Sequence, residues 1–220
     1  GPSGFADPPR PFVVRARHLD GRRIESGERF YFDLNVFTAD TEPFITAFGT
    51  LAGQGIGPGR ARIDLDHVHR PAAVRLSLGL SLDQSAAGVR GIRVEFLTPT
   101  ELKQSGQIAP EPEFAVLFAR IRDRLGTLRS LYGPGPLDID FQAMGTRAAS
   151  VRMIRCETRH VEVRRRSSRT GQTHGIGGFT GFADYEGNLA EFLPWLEAAH
   201  WTGVGRQCVW GKGEIEIQRL

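Results

Sequence analysis

Lysine is almost missing from this chain. Of its 28 basic residues only Lys103 and Lys212 are lysines, and the rest are arginines. Two readings of that bias stay open: a genomic preference, or a use for the guanidinium fork, which binds phosphate oxygens in pairs. Cysteine is scarce as well. Cys156 and Cys208 stand alone and far apart, so their spacing makes no zinc site. The simplest reading is an intracellular, reduced protein of the cytoplasm. No run of about 18 apolar residues occurs, which excludes a membrane-spanning helix. No basic-then-apolar leader opens the chain, so no secretion signal is read. Neither a P-loop, nor a Ser-His-Asp order, nor a paired-carboxylate motif stands out. Methionine is absent from the first position. The chain opens Gly1-Pro2-Ser3-Gly4, which reads as a processing scar or a boundary, and residues are expected upstream. What remains is ample for folding: 220 residues, 40% of them hydrophobic, with a net charge of +3. That suits one large domain or two small ones and excludes global disorder.

Residues 1–11 are rich in Pro and Gly and read as a linker. Strands are expected over 12–18 and 29–37, the second from Phe30, Phe32, Leu34 and Val36 at every other position. Thr41-Glu42-Pro43 opens a helix with Phe44, Ile45, Phe48 and Leu51 on one face, and the glycines of 53–59 end it. Alternation returns over 60–68. It is strict at Val74, Leu76, Leu78, Leu80 and Leu82, so both stretches read as strands. From Val89 a new series begins. Ile92, Val94 and Phe96 alternate in a strand that ends at Thr98-Pro99-Thr100. Phe114, Leu117, Phe118, Ile121, Leu125, Leu128 and Leu131 recur at three and four, the mark of an amphipathic helix, with Arg120, Arg122, Arg124 and Arg129 on its other faces. Strands over 151–163 and 179–185 flank a polar, arginine-rich loop. A helix follows, N-capped by Asn188 with Glu191 closing a capping box, and Pro194 kinks or shortens it. A glycine loop then leads to a last strand over 209–218.

The second series is βαββαβ, the ferredoxin-like split βαβ order. The first matches only the last four elements of that order, ββαβ. The expected fold class is therefore α+β, with tandem ferredoxin-like (RRM-like) domains at 1–88 and 89–220. The first is incomplete, without its opening strand and helix. In this topology the second and fourth strands are opposite sheet edges, roughly 14 Å apart. That is too far for a disulfide, so Cys156 and Cys208 are expected to be free thiols.

Three groups of residues invite chemistry. Gly203, Gly205, Gly211 and Gly213 form two Gly-x-Gly pairs around a loop that carries Arg206 and Lys212. Bare amides and two cations suit a phosphate, and a plain turn between a helix and a strand is the competing reading. Arg164, Arg165, Arg166 and Arg169 crowd a loop too polar to be core. They read as an RNA-binding hairpin arm or as a solvated edge strand guarded by charge. Among six histidines, His174 sits in that basic, glycine-flanked loop and is the best acid/base candidate. His200, at the end of the last helix, is the second catalytic candidate, with packing or capping as its alternative. Tyr185 and Ser168 are weaker. His67 and His69 share an expected strand face but lack a third ligand, so neither a metal nor another cofactor is expected.

The order of several segments carries a resemblance. These are Asp7-Pro8-Pro9-Arg10-Pro11-Phe12-Val13, Gly27-Glu28-Arg29-Phe30, Gly55-Ile56-Gly57-Pro58-Gly59-Arg60-Ala61-Arg62 and Phe96-Leu97-Thr98-Pro99-Thr100-Glu101-Leu102-Lys103. Later come Ser167-Ser168-Arg169 through Gly177-Gly178-Phe179-Thr180-Gly181, then Gly187-Asn188-Leu189-Ala190 with Phe192-Leu193-Pro194, and the glycine loop itself. With two ferredoxin-like halves, they resemble the CRISPR repeat-RNA-processing endoribonuclease family of the RAMP superfamily. That resemblance implies metal-independent cleavage within CRISPR repeat RNA. The ribose 2′-hydroxyl attacks the adjacent phosphate and leaves a 2′,3′-cyclic phosphate. It implies RNA contacts from the glycine loop, including Arg206 and Lys212, and from the arginine hairpin. It also implies possible association with other CRISPR-associated proteins. Two departures stand out. The place where the family often has a histidine, at the start of the loop, is Gly203, with His200 a turn earlier. Many members hold catalytic residues in an opening helix that this chain lacks. A non-catalytic RNA-binding subunit of a CRISPR effector complex is thus the alternative. A module that grips acidic proteins with its arginine face is the third.

Overall fold

A computed structural model describes residues 8–57, 59–78, 88–166, 173–175 and 177–220. In the first stretch, β1 (Phe12–Arg15) and β2 (Asp33–Val36) pair antiparallel, with Val13 opposite Asn35. Helix α1 (Glu42–Gln54) follows, with Pro43 in its first turn, where the missing N–H costs nothing. Its apolar face meets the strand region through two ring contacts, Phe12 with Phe44 at 5.4 Å and Phe32 with Phe48 at 5.1 Å.

The strands expected over 60–68 and 74–82 are corrected. Residues 62–78 run without regular structure, and among the described residues the only pairing nearby is a bridge between Ile56 and Ala61. Residues 79–82 lie outside the described residues. Alternation marks a strand only where a neighbour completes the hydrogen-bond ladder, and these residues find no such neighbour among those described. Val74 is 61% exposed in consequence. Ion pairs tie part of this segment down, Arg70 to Glu42 at 2.5 Å and Arg29 to Asp66 at 3.4 Å. Leu76 and Leu78 lean on the core of the second part. His67 and His69 therefore share no strand face.

The second part closes as its pattern predicts. It contains β3 (Gly91–Thr100), a two-residue ladder of β4 (Lys103–Gln104) with β5 (Gln107–Ile108), α2 (Phe114–Tyr132) and α3 (Phe141–Ala148). Then come β6 (Arg152–Val161), β7 (Arg164–Arg166), β8 (Thr173–Gly175), β9 (Gly178–Glu186), α4 (Leu193–Thr202) and β10 (Ile215–Arg219). The main sheet is antiparallel throughout in the order β10-β3-β9-β6. This is the ferredoxin-like order, with the first and third long strands in the middle.

Strict alternation along β3 buries Ile92, Val94 and Phe96 on one face. Those side chains meet α2 and α4 in an aromatic cluster. Phe118 lies 4.7 Å from Phe192 and 5.9 Å from Trp195, and Phe114 lies 5.2 Å from Tyr185. Each fully buried large apolar side chain contributes about 1.5–3 kcal/mol. Among the described residues no α-helix covers the opposite face, whose neighbours include the 3-10 turn Arg17–Leu19.

Several elements differ from expectation: the first strand ends at Arg15 and the second starts at Asp33. Helix α4 starts at Leu193 with Pro194 in its first turn, not at Asn188. Proline is tolerated there and not deeper. Glu191 closes no capping box and instead holds Arg147 at 2.7 Å. The last strand begins at Ile215, because Cys208–Trp210 form a 3-10 turn. Helix α3 was not expected, although Asp140 caps it by accepting from Ala143 N–H at 2.9 Å. Cys156 and Cys208 are both free. No helix among the described residues is long and apolar enough to cross a membrane.

Candidate functional site

The glycine loop is a joint between chain segments that are distant in sequence. Its glycines have positive φ, and at two of them a side chain is excluded outright. A Cβ at Gly213 would overlap the Val204 carbonyl, and one at Gly205 would overlap the Glu101 carbonyl. Several of its amides are engaged. Val204 N–H donates to Gly213 O at 2.9 Å, Arg206 N–H to Glu101 O at 3.1 Å, and Gly213 N–H to Pro99 O at 3.3 Å. Glu214 N–H donates to the Thr98 hydroxyl at 2.9 Å. For Val204, Arg206 and Gly213 the expectation of bare amides is corrected. These amides bind the loop to itself and to the end of β3, and the glycines permit the approach. What the loop offers a ligand is its two cations. Arg206 is paired with Glu101. Lys212 is partly buried, and burial lowers its ammonium pKa, with Asp20 opposing.

The same joint fastens the first part of the chain. Arg15 donates to the carbonyl of His200 at 2.6 Å, and Asn35 donates to that of Trp201 at 2.9 Å. Arg124 donates to Thr202 O at 2.7 Å. The last carbonyls of a helix carry partial negative charge and lack intrahelical partners, so two guanidiniums are well placed there. Arg15 also faces Glu214 at 3.7 Å, and its burial pulls its pKa down against that attraction. Gly211 brings the loop against the backbone of Val14. Sequence reasoning missed Arg15 and Arg124, because nothing local marks a residue that caps a helix about 80 or more positions away.

A cleft of about 880 Å³ lies over the open face of the sheet. Its cations are Arg17, Arg159 and Lys212, set against Asp20, Glu95 and Glu157. Beside it Arg93 grips Asp184 with two hydrogen bonds, at 2.7 and 2.9 Å, and its guanidinium lies 3.8 Å over the Phe182 ring. Those bonds hold the Asp184 carboxyl below the usual carboxylate range. Val161 and Val163 line the cleft, and the arginine arm begins at the next residue, so the cleft opens at the root of the arm. Arg17 was also missed as a cleft residue.

The arm itself is the β7–β8 hairpin, which pairs Arg164 with Gly175, Arg165 with His174 and Arg166 with Thr173. Arg169 and Ser168 lie outside the described residues. His200 sits elsewhere, in the last turn of α4, where its Nδ1 is 3.1 Å from the Ile215 carbonyl. A carbonyl only accepts, so Nδ1 carries the proton and Nε2 is left as the basic atom. The described contacts join His200 to the glycine loop region and do not join it to the hairpin of His174. No histidine whose side chain is described lines the cleft. Tyr185 is fully buried and donates to Pro112 O at 2.5 Å; burial raises its pKa well above the usual range, which suits packing. No group of His, Cys, Asp or Glu among the described residues is arranged to hold a metal ion.

Comparison with known proteins completes the description. A family model for the CRISPR-associated endoribonuclease Cas6 matches residues 94–215, and a model for an N-terminal domain matches residues 2–78. A comparison with curated protein sequences finds no match. Among solved structures, the chain is similar to Cas6 (TTHA0078) in a product complex. The identity is 18%, over 99% of this chain and 86% of that one, at a TM-score of 0.59. It is similar also to Thermus thermophilus Cas6 (TTHB231) in a product complex, with 18% identity over 97% of this chain and 83% of that one and a TM-score of 0.59. At this identity the likeness concerns the fold, a tandem ferredoxin-like arrangement.

Proposed function

The chain belongs to the CRISPR-associated endoribonuclease Cas6 family, whose members bind and process CRISPR repeat RNA, and we propose that it cuts this RNA without a metal ion. The ribose 2′-hydroxyl gives up its proton to a base and its oxygen attacks the adjacent phosphorus. The O2′–P bond forms and the P–O5′ bond breaks. The departing O5′ takes a proton from an acid, leaving a 2′,3′-cyclic phosphate and a 5′-hydroxyl. The protein must place a base and an acid and stabilise the extra negative charge on phosphorus.

The observation that supports this reading is the cleft that opens at the arginine arm, with Arg17, Arg159 and Lys212 on its walls. Phosphate held among these cations loses much of its repulsion toward an incoming oxyanion. The arm, through Arg164, Arg165, Arg166 and Arg169, grips the repeat by shape and phosphate. His174 and His200 are the proton-transfer candidates. Gly203, Gly205, Gly211 and Gly213 act indirectly, by aiming Arg206 and Lys212. We propose, too, that residues 1–88 and 89–220 act as two domains on one RNA.

A second reading is an RNA-holding subunit without cleavage. It is favoured by the place of His200, which is not among the residues that line the cleft. An assay in EDTA with repeat RNA, and with the same RNA carrying single 2′-deoxy substitutions, separates the two. Cleavage at one site, abolished by one deoxy substitution and leaving a cyclic phosphate, is expected. Tight binding with no cut supports the second reading, and cleavage that requires a divalent ion overturns the first.

A further inference from the structure

The two cations of the glycine loop face different spaces. Lys212 lines the cleft over the open face of the sheet. Arg206 lines a second cavity of about 320 Å³, bounded by Lys103 and by Arg120, Asp123 and Arg124 of α2. The two cavities share no lining residue. The loop is thus a ridge with one cation on each side.

The smaller cavity is rich in positive charge. Lys103, Arg120, Arg124 and Arg206 surround it, against two carboxylates, Glu101 and Asp123. Glu101 is taken up by Arg206, and Asp123 by Arg120 at 2.8 Å and Arg122 at 3.0 Å. Arg124 gives its Nε to Thr202 O at 2.7 Å. Two further nitrogens, Nε of Arg120 and one terminal nitrogen of Arg124, are buried and find no acceptor among the described residues. Donors left in that condition are unfavourable unless a ligand supplies oxygens. Arg120 and Arg124, four positions apart, lie on one face of α2, and that face lines the cavity.

We propose that this cavity binds a phosphate group of the RNA, so that the strand crosses the loop from Lys212 to Arg206. The proposal rests on the RNA reading above and adds a contact, on the helix side of the sheet, through Lys103 and Arg120. The ligand chemistry is a phosphate oxyanion, and inorganic phosphate is its other source.

The test uses the whole chain, with Lys103→Ala alone and Lys103→Ala with Arg120→Ala. Lys103 opens the two-residue strand β4, half-buried and outside the core cluster, so its removal keeps the fold available to the test. Binding of repeat RNA is measured from 50 to 200 mM salt, and inorganic phosphate is titrated by phosphorus NMR. Each lost phosphate contact flattens the slope of log affinity on log salt by roughly 0.7–0.9. The single variant is expected to lose about one such step. The double variant is expected to lose about two, with roughly tenfold weaker binding at physiological salt and loss of phosphate binding. An unchanged slope and affinity in the double variant, while the parent binds RNA, overturns the proposal and leaves the RNA reading standing. Phosphate binding that disappears in the double variant, in a chain that binds no RNA, supports the cavity and overturns its RNA source. Binding of neither probe by the parent chain overturns the proposal.

Discussion

Residues 8–78 and residues 88–220 show similar strand and helix patterns, but they fold to different degrees. The second part closes a four-stranded sheet and covers one face with helices. The first part pairs two short strands, adds one helix, and leaves a long stretch without regular structure. Among the described apolar residues of the first part only Val13 and Ala52 are buried, while the core cluster draws its buried members from Ile92 onward. A strand pattern therefore becomes a strand only when its neighbours exist to pair with it. The first part is held by what the second offers, chiefly the carbonyls at the end of α4 and the backbone of the glycine loop.

Matched truncations break this comparison most sharply. Phe118→Ala, in the aromatic cluster of the second part, is expected to lose about 4 kcal/mol in urea unfolding and to abolish RNA binding with it. Gly213→Ala forces a side chain into the Val204 carbonyl and is expected to cost about 3 kcal/mol. Arg15→Ala removes a guanidinium that holds the end of α4. It is expected to cost about 2 kcal/mol and to speed proteolysis of the first part before the second. Phe48→Ala, in the thinner packing of the first part, is expected to cost only about 1 kcal/mol. A loss equal to that of Phe118→Ala would contradict the contrast drawn here.

The smallest effect is a pH dependence inside the second part. Arg93 lowers the Asp184 pKa in the folded state. The stability this pair contributes is complete above the ordinary carboxylate pKa of about 3.9, and it disappears as pH falls through the lower folded value. Asp184→Asn is expected to flatten the acid limb of the stability profile and to leave its shape near neutral pH unchanged.

Much of the second part was legible from local pattern. The period of β3 and of α2 was enough to place both, because one face of each is buried against a single core. The start of α4 was misplaced because Asn188 and Glu191 imitate a capping box, while Pro194 forces the true start to Leu193. Helix α3 was missed because eight residues hold barely two turns of period. The stretches at 60–68 and 74–78 carried the right alternation, but their lack of partners is not written in their own residues. The glycine loop was recognised as special. Its amides were misjudged because their acceptors, at Pro99 and Glu101, lie more than 100 positions away. Arg120 and Arg124 had a signal that was available, two arginines at helical spacing, but that spacing alone does not reveal what a face adjoins.

In the proposed arrangement, RNA is held on both sides of the glycine loop by the second part of the chain. Hydrogen exchange of the whole protein, with and without its repeat RNA, tests it most directly. Added protection is expected in residues 203–213, in the hairpin of 164–166 and 173–175, and in the stretch 101–127 that carries Lys103 and Arg120. Protection confined to residues 8–78, with those three stretches unchanged, would contradict it.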